Sequence, residues 1–281
     1  MSFDAKNLVL RVALAVVAIP LVLWIALTGG RLLMALSAGL ILVAAWEWVR
    51  LCDIGRMRWL SMYGVLAPLA LGAAWWPLGG GAWAPTAVAL VLVAFMLALT
   101  GPWAQIGALR AVGGMVLGTF YIGLFGLMVP ISEGFRVAGI VEGGRVLATI
   151  FAIVWVGDTF AYVGGTTLGR HRLAPRVSPR KSWEGAIFGF IGAVIGAFLG
   201  GWLFHVHALP TVELAGIGAF IGVIGQLGDL AESMIKRDSG VKDSSALLPG
   251  HGGVLDRFDS FLFSLPVVWG WMLLRPWLLG T

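Results

Sequence analysis

The sequence predicts an all-α, polytopic integral membrane protein with about nine transmembrane helices, N-terminus inside and C-terminus outside. Three observations carry that prediction. Of the 281 residues, 59% are hydrophobic and 12% charged, and the mean hydropathy is +0.93; soluble domains run roughly 45–50% apolar and about 25% charged. Apolar runs close to the roughly 20 residues needed to cross a hydrocarbon core recur along the whole chain. The 41 glycines and 14 tryptophans suit helices packed closely in lipid, with aromatic rings at the two interfaces.

Taken in order, the runs fall at 12–30, 32–49, 60–76, 82–100, 107–130, 146–168, 183–204, 211–231 and 258–278. The first reads as a retained signal anchor: no A-x-A cleavage site follows, and Arg31 opens the next run at once. The third is interrupted by Pro68 and ended by Trp75-Trp76-Pro77. Small residues recur in the seventh run (Gly185, Gly189, Gly192, Gly196, Gly200) and the eighth (Gly218, Gly222, Gly225). That spacing predicts close helix packing.

Loop charges set the orientation. An N-in arrangement puts Lys6, Arg11, Arg50, Arg56, Arg58, Arg110, Arg170, Arg172, Arg176, Arg180, Lys181, Lys236, Arg237, Lys242 and Arg257 on the cytoplasmic side, 15 of the 19 Lys/Arg. Arg31, Arg136, Arg145 and Arg275 fall outside. Positive loops inside are the usual bias of such proteins. The net charge of +5 therefore belongs to short loops, which orient the chain or meet anionic lipid and phosphate rather than nucleic acid. The single cysteine, Cys52, forms no intramolecular disulfide and reads as inert. His205 and His207, beside Trp202 on an outer loop, read as interfacial.

Two regions differ in polarity. Residues 1–145 form a scaffold of about five spans. Residues 146–281 hold the informative polar groups, with cytoplasmic loops at 169–182 and 231–257. The densest stretch runs from Asp229 to Asp259. Asp229, Glu232, Ser233 and Lys236 are spaced to share one helix face. Arg237, Asp238, Lys242 and Asp243 follow, then Pro249-Gly250-His251-Gly252-Gly253 breaks the chain ahead of Asp256, Arg257 and Asp259. Carboxylates beside lysines and arginines suit a metal-bound polyphosphate, since hard oxygens hold Mg²⁺ and cations neutralise the remaining charge. A solvated loop with surface ion pairs has a similar composition, but acids at both membrane boundaries are costly without a task.

Ser178-Pro179-Arg180-Lys181-Ser182-Trp183-Glu184-Gly185 enters the seventh run. Ser182 suits an N-cap with Glu184 in the first turn, and Arg180 and Lys181 beside a helix N-terminus suit a phosphate. A plain basic loop looks much the same. Asp158 lies within the sixth run, with Tyr162 one turn on, and an acid among so many apolar residues must face protein, water or ligand. P-loop, dinucleotide-binding and H-E-x-x-H zinc motifs are missing from the sequence, which excludes a P-loop ATPase and a zinc protease.

The segment Ser233-x-Ile235-Lys236-Arg237, then Lys242-Asp243-x-Ser245, then Leu248-Pro249-x-His251-Gly252-Gly253-Val254-x-Asp256-Arg257-Phe258-Asp259 resembles the signature of the phosphatidate cytidylyltransferase (CDP-diacylglycerol synthase) family. Ser178 to Gly185 resembles that family's S-P-K-K-T-W-E-G segment, with Arg180 and Ser182 as conservative changes. Asp158 to Tyr162 resembles its D-[ST]-x-A-Y segment, although the usual Gly-Arg after the tyrosine is here Gly165-Thr166, with Gly169-Arg170 following.

The resemblance implies transfer of the cytidylyl group of CTP to phosphatidate, giving CDP-diacylglycerol and pyrophosphate, by a homodimer in the bacterial cytoplasmic (inner) membrane. Its site faces the cytoplasm. It implies Mg²⁺ on Asp229 and Asp256, with a second cation such as K⁺ nearby. Lys236, Arg237, Lys242, Asp243, His251, Arg257 and Asp259 join these two as expected catalytic positions. Ser178, Arg180, Lys181, Trp183, Glu184, Asp158, Tyr162, Ser233, Gly252 and Gly253 are expected to bind substrate. The alternatives are a CTP-dependent prenol kinase, an ether-lipid cytidylyltransferase, or an ion-coupled transporter. The D-G-x-x-A-R pattern of CDP-alcohol phosphatidyltransferases is absent from the sequence.

Overall fold

A computed structural model describes residues 5–52, 58–76, 81–99, 107–137, 142–247 and 252–279. The helices are α1 (Ala5–Thr28), α2 (Gly30–Leu51), α3 (Arg58–Ala73), α4 (Trp83–Leu99), α5 (Ala108–Gly123), α6 (Met128–Val137), α7 (Gly143–Leu168), α8 (Trp183–Leu203), α9 (Thr211–Asp238) and α10 (Leu255–Leu279). Among the described residues, five helical stretches are long and apolar enough to cross a membrane: Gly30–Leu51, Ala108–Glu133, Gly143–Leu168, Trp183–Leu203 and Thr211–Asp238. Val16–Thr28, Trp59–Ala73 and Trp83–Leu99 are shorter apolar helices.

Three local features depart from the sequence reading. Pro68 does not interrupt α3, which continues to Ala73 before the turn at residues 74–76; neighbouring helices in a membrane bundle can absorb the missing hydrogen bond. The fifth run is not a uniform helix. It tightens into a 3-10 turn at Leu124–Leu127 and then continues as α6. There Gly126 lies against the backbone of Gly72, where a side chain would overlap it. Ser37 Oγ donates to the Phe125 carbonyl at 2.8 Å. The Phe125 carbonyl, which also accepts from Met128 N within the turn, thus gains a second partner from α2. Finally, the basic loop 169–182 is not irregular: β1 (Arg172–Ala174) pairs antiparallel with β2 (Ser178–Ser182), with Arg172 opposite Ser182.

The expected glycine packing is present. A Cβ on Gly196 would stand 2.9 Å from Ile153 Cα of α7, and one on Gly218 3.0 Å from the Ala193 carbonyl of α8. These helices meet backbone to backbone, where dispersion between close surfaces replaces the hydrophobic drive that lipid does not supply. Aromatic side chains fill the centre of the bundle, with Phe151 stacked on Phe261 at 4.2 Å between ring centroids.

Contacts sort the loops into two ends. Arg145 donates to the His205 carbonyl at 3.0 Å, Glu142 accepts from His207 N at 2.8 Å, and Arg275 pairs with Glu213 at 2.9 Å. All these residues lie on loops or helix ends at the side assigned to the outside. His205 and His207 stack there at 6.1 Å between ring centroids. At the other end, the C-terminal turn of α2 meets the loop between α9 and α10, as helix alternation requires. Cys52 follows α2 at that end, and burial pushes its thiol up to about 11, so it is protonated at neutral pH. Thiolate is the nucleophile, so maleimide at pH 7.5 is expected to label Cys52 at least about tenfold more slowly than free cysteine; labelling at the free rate contradicts this burial.

Candidate active site

The three polar segments of the sequence converge where α7, α8, α9 and α10 meet the α9–α10 loop. Ser182 caps α8, accepting from Gly185 N at 3.1 Å. Glu184, one position into the helix, turns back onto the hairpin. It accepts from Arg170 N at 3.1 Å and His171 N at 3.2 Å, and its Oε1 lies 2.6 Å from His171 Nδ1. The Trp183 amide donates to the His171 carbonyl at 2.9 Å. Glu184 therefore holds the hairpin on α8, with Arg180 at the surface and Ser178 half-buried on β2. The Trp183 ring is exposed. Lys181 leaves β2 in the other direction and meets Asp229 of α9, Nζ to Oδ2 2.6 Å.

On α9 the expected face is realised. Ser233 Oγ lies 3.4 Å from Asp229 Oδ1. Lys236 Nζ lies 2.5 Å from Glu232 Oε2 and 2.5 Å from Asp256 Oδ1, so one ammonium joins α9 to the start of α10. The Glu232 side chain is 2% exposed. Its contact with Lys236 is out of line for a hydrogen bond, and both carboxylate oxygens lack a hydrogen-bond partner among the described residues. Arg237 instead turns to the Val241 carbonyl at 2.8 Å, closing the end of α9. Lys242, Asp243 and Arg257 are exposed on this surface.

Asp256 stands in the first turn of α10, ahead of the apolar run that begins at Phe258. Its Oδ2 accepts from Ser244 N and Ser244 Oγ, each at 2.8 Å, and from Gly253 N at 2.7 Å. Burial pushes this carboxyl up, but the Lys236 ammonium and the two backbone N–H groups outweigh burial and hold it below the usual carboxylate range. Gly252 has φ +79°, and a side chain there would press on Asp256 Oδ2; one on Gly253 would overlap Ser244 and Glu47. The two glycines let the loop backbone close on the carboxylates. His251 lies outside the described residues.

Asp158 of α7 keeps accessible surface on a narrow crevice that Gln226 and Ser260 also line. The charges of Asp229, Lys181 and Arg257 act on it, and Asp259 is subject to those of Asp229, Glu232 and Asp158. Tyr162, one turn beyond Asp158, is 72% exposed and turns outward.

One carboxylate at this site was missing from the sequence reading. Glu47 of α2 is completely buried and accepts from Val254 N and Leu255 N, each at 2.9 Å, and from Ser245 Oγ at 2.7 Å. The signal was available: an acid between Trp46 and Trp48 in a membrane span must have a partner. Its partners lie about two hundred residues away, so no local pattern announces them.

Five helices, the β1–β2 hairpin and the α9–α10 loop thus deliver carboxylates and lysines to one end of a membrane bundle, an arrangement suited to phosphate chemistry at a bilayer surface. The chain belongs to the cytidylyltransferase family, whose pattern it matches over residues 9–274. It is 33% identical to a phosphatidate cytidylyltransferase of Staphylococcus epidermidis, covering 92% of this chain and 96% of that protein. It is 36% identical to the Pseudomonas aeruginosa protein of that name, over 92% and 94% of the two chains. A Synechocystis relative of the same name is 44% identical over 44% of this chain and 42% of its own.

Proposed function

We propose that this protein transfers the cytidylyl group of CTP to phosphatidate, forming CDP-diacylglycerol and pyrophosphate at the cytoplasmic face of a bacterial inner membrane. The observation that carries the reading is the pair of lysine–carboxylate bridges, Lys181–Asp229 and Lys236–Asp256, which join the Ser178–Gly185 segment to the Asp229–Asp259 stretch, both of which hold motifs resembling this family's. The full-length relatives named for this activity support the same substrates.

The donor set fits Mg²⁺. It consists of hard carboxylate oxygens, and Glu232, which is ion-paired with Lys236 through Oε2, keeps Oε1 buried without a hydrogen-bond partner among the described residues. Among the described residues no three acidic or imidazole groups converge at ligand spacing. Mg²⁺ usually takes one or two protein carboxylates and completes its shell with water and substrate phosphates. Asp229 and Asp256 would hold it, and its charge would offset that of the triphosphate; the acids around Asp158 and Asp259 are where a second cation such as K⁺ belongs.

The protein's own work is positioning and charge neutralisation. A phosphate monoester has its second pKa near 6, so phosphatidate is largely a dianion at neutral pH. Its oxygen attacks the α-phosphorus of CTP, a new P–O bond forms, the α–β bridge bond breaks, and its electron pair leaves with pyrophosphate. No protein base is required. Lys181 and Lys236, now paired with carboxylates, and the exposed Arg257 and Lys242 are the cations within reach of the phosphate groups. Arg180 on the hairpin and Ser178 behind it would meet the phosphate arriving from the lipid side.

Nine spans with the N-terminus inside fit the sorting of loop contacts and the distribution of basic residues. The resemblance supports a homodimer. Purified protein in detergent, given α-phosphate-labelled CTP, phosphatidate and Mg²⁺, is expected to move label into the organic phase. Label moving only to an ether-lipid phosphate replaces the acceptor, a prenol that gains label only from γ-phosphate-labelled CTP replaces the reaction with a kinase, and no movement to any lipid removes the reading.

A further inference from the structure

We propose that Glu47 of α2 is a positioning residue for Asp256, tying the N-terminal helices to the reacting end of the molecule. The inference rests on the cytidylyltransferase reading for what Asp256 does, and on geometry for the rest. Glu47 is completely buried, and its hydrogen-bond partners are neutral: the amides of Val254 and Leu255, which open α10, and the hydroxyls of Ser244 and Ser245. A helix N-terminus presents unpaired N–H groups and a partial positive charge. Here the acid that meets them comes from another helix, so α10 begins where α2 holds it.

The link reaches Asp256 through one side chain. Ser244 Oγ lies 3.0 Å from Glu47 Oε2 and 2.8 Å from Asp256 Oδ2, and its single proton can serve one of them at a time. With Ser244 seated between the two carboxylates, the Ser244 amide and the Gly253 amide both point at Asp256 Oδ2. That occupies one carboxylate oxygen with loop donors and leaves Oδ1 facing Lys236 and α9. Removing the Glu47 charge unseats the amides first and the Asp256 orientation second. Groups that orient a ligating carboxylate in this way typically alter metal affinity by roughly tenfold to a hundredfold.

The test compares the parent protein with Glu47→Gln and Ser244→Ala in detergent. Hydrogen exchange at the amides of Val254 and Leu255 is expected to quicken in Glu47→Gln. Mn²⁺ binding, followed by paramagnetic resonance without nucleotide or lipid and normalised to folded protein, is expected to weaken about tenfold or more in both variants. A purely structural Glu47 lowers the amount of folded protein and leaves that normalised affinity alone, which overturns the proposal, as does undetectable Mn²⁺ binding by the parent. If Glu47→Gln does not fold, Ser244→Ala decides, because it keeps both Glu47–amide bonds; unchanged Mn²⁺ affinity there overturns the proposal. A parent that transfers no label but shows both Glu47 effects overturns the cytidylyltransferase reading and leaves the positioning role. An active parent whose variants bind Mn²⁺ normally does the reverse.

Discussion

Asp256→Asn is expected to lower cytidylyl transfer by about a hundred- to a thousandfold, the usual cost of removing one group that stabilises charge in a transition state. The substitution keeps the shape of the side chain and removes its charge. One terminal atom becomes an NH₂ donor, and it must face either Lys236 Nζ, 2.5 Å from Oδ1, or the two amides and hydroxyl now on Oδ2. Either choice sets donor against donor, so a loss of stability accompanies the loss of turnover. Measuring transfer per folded molecule, with folding followed by circular dichroism, separates the two effects. Activity within tenfold of the parent removes Asp256 from the reacting site.

Lys236→Met carries the largest expected effect on stability. The Lys236 side chain is 10% exposed and lies between Glu232, 2% exposed, and Asp256, 5% exposed. Losing the cation leaves two carboxylates facing each other in a poorly solvated place, and breaking a buried pair from one side costs about 3–5 kcal/mol. The double variant Lys236→Met/Glu232→Gln is expected to recover part of that loss, because it no longer strands a charge on Glu232. Thermal unfolding in detergent gives both values. A single variant as stable as the parent shows that Glu232 already sits neutral or wet, and the buried-pair account then falls.

Much of this architecture was legible before any coordinates. Hydropathy placed the helices because lipid admits few alternatives for a long apolar run. The shared face of Asp229, Glu232, Ser233 and Lys236 followed from helix geometry, and Ser182 capped α8 as its position suggested. The unread parts share a physical cause: they depend on partners distant in sequence. The Gly126–Gly72 contact behind the 3-10 turn joins two different helices. The hairpin contains alanine, proline and lysine, poor strand formers, and is held by Glu184 rather than by propensity. Glu184 and Lys236 both looked like groups waiting for a substrate, and both already have protein partners. Glu47 stands out as an acid in an apolar span, but its partners at the start of α10 lie about two hundred residues away.

Trp183, Ile187, Tyr162 and Val163 present broad apolar surface beside the crevice that holds Asp158. On the proposed reading, the two reactants arrive along perpendicular directions: a soluble nucleotide along the membrane normal and a lipid by lateral diffusion in the sheet. Only one of them has a concentration in the ordinary sense. The other is a surface fraction, so saturation follows the share of phosphatidate among neighbouring lipids, and diluting the membrane with inert lipid slows the enzyme even when nothing in the surrounding water has changed.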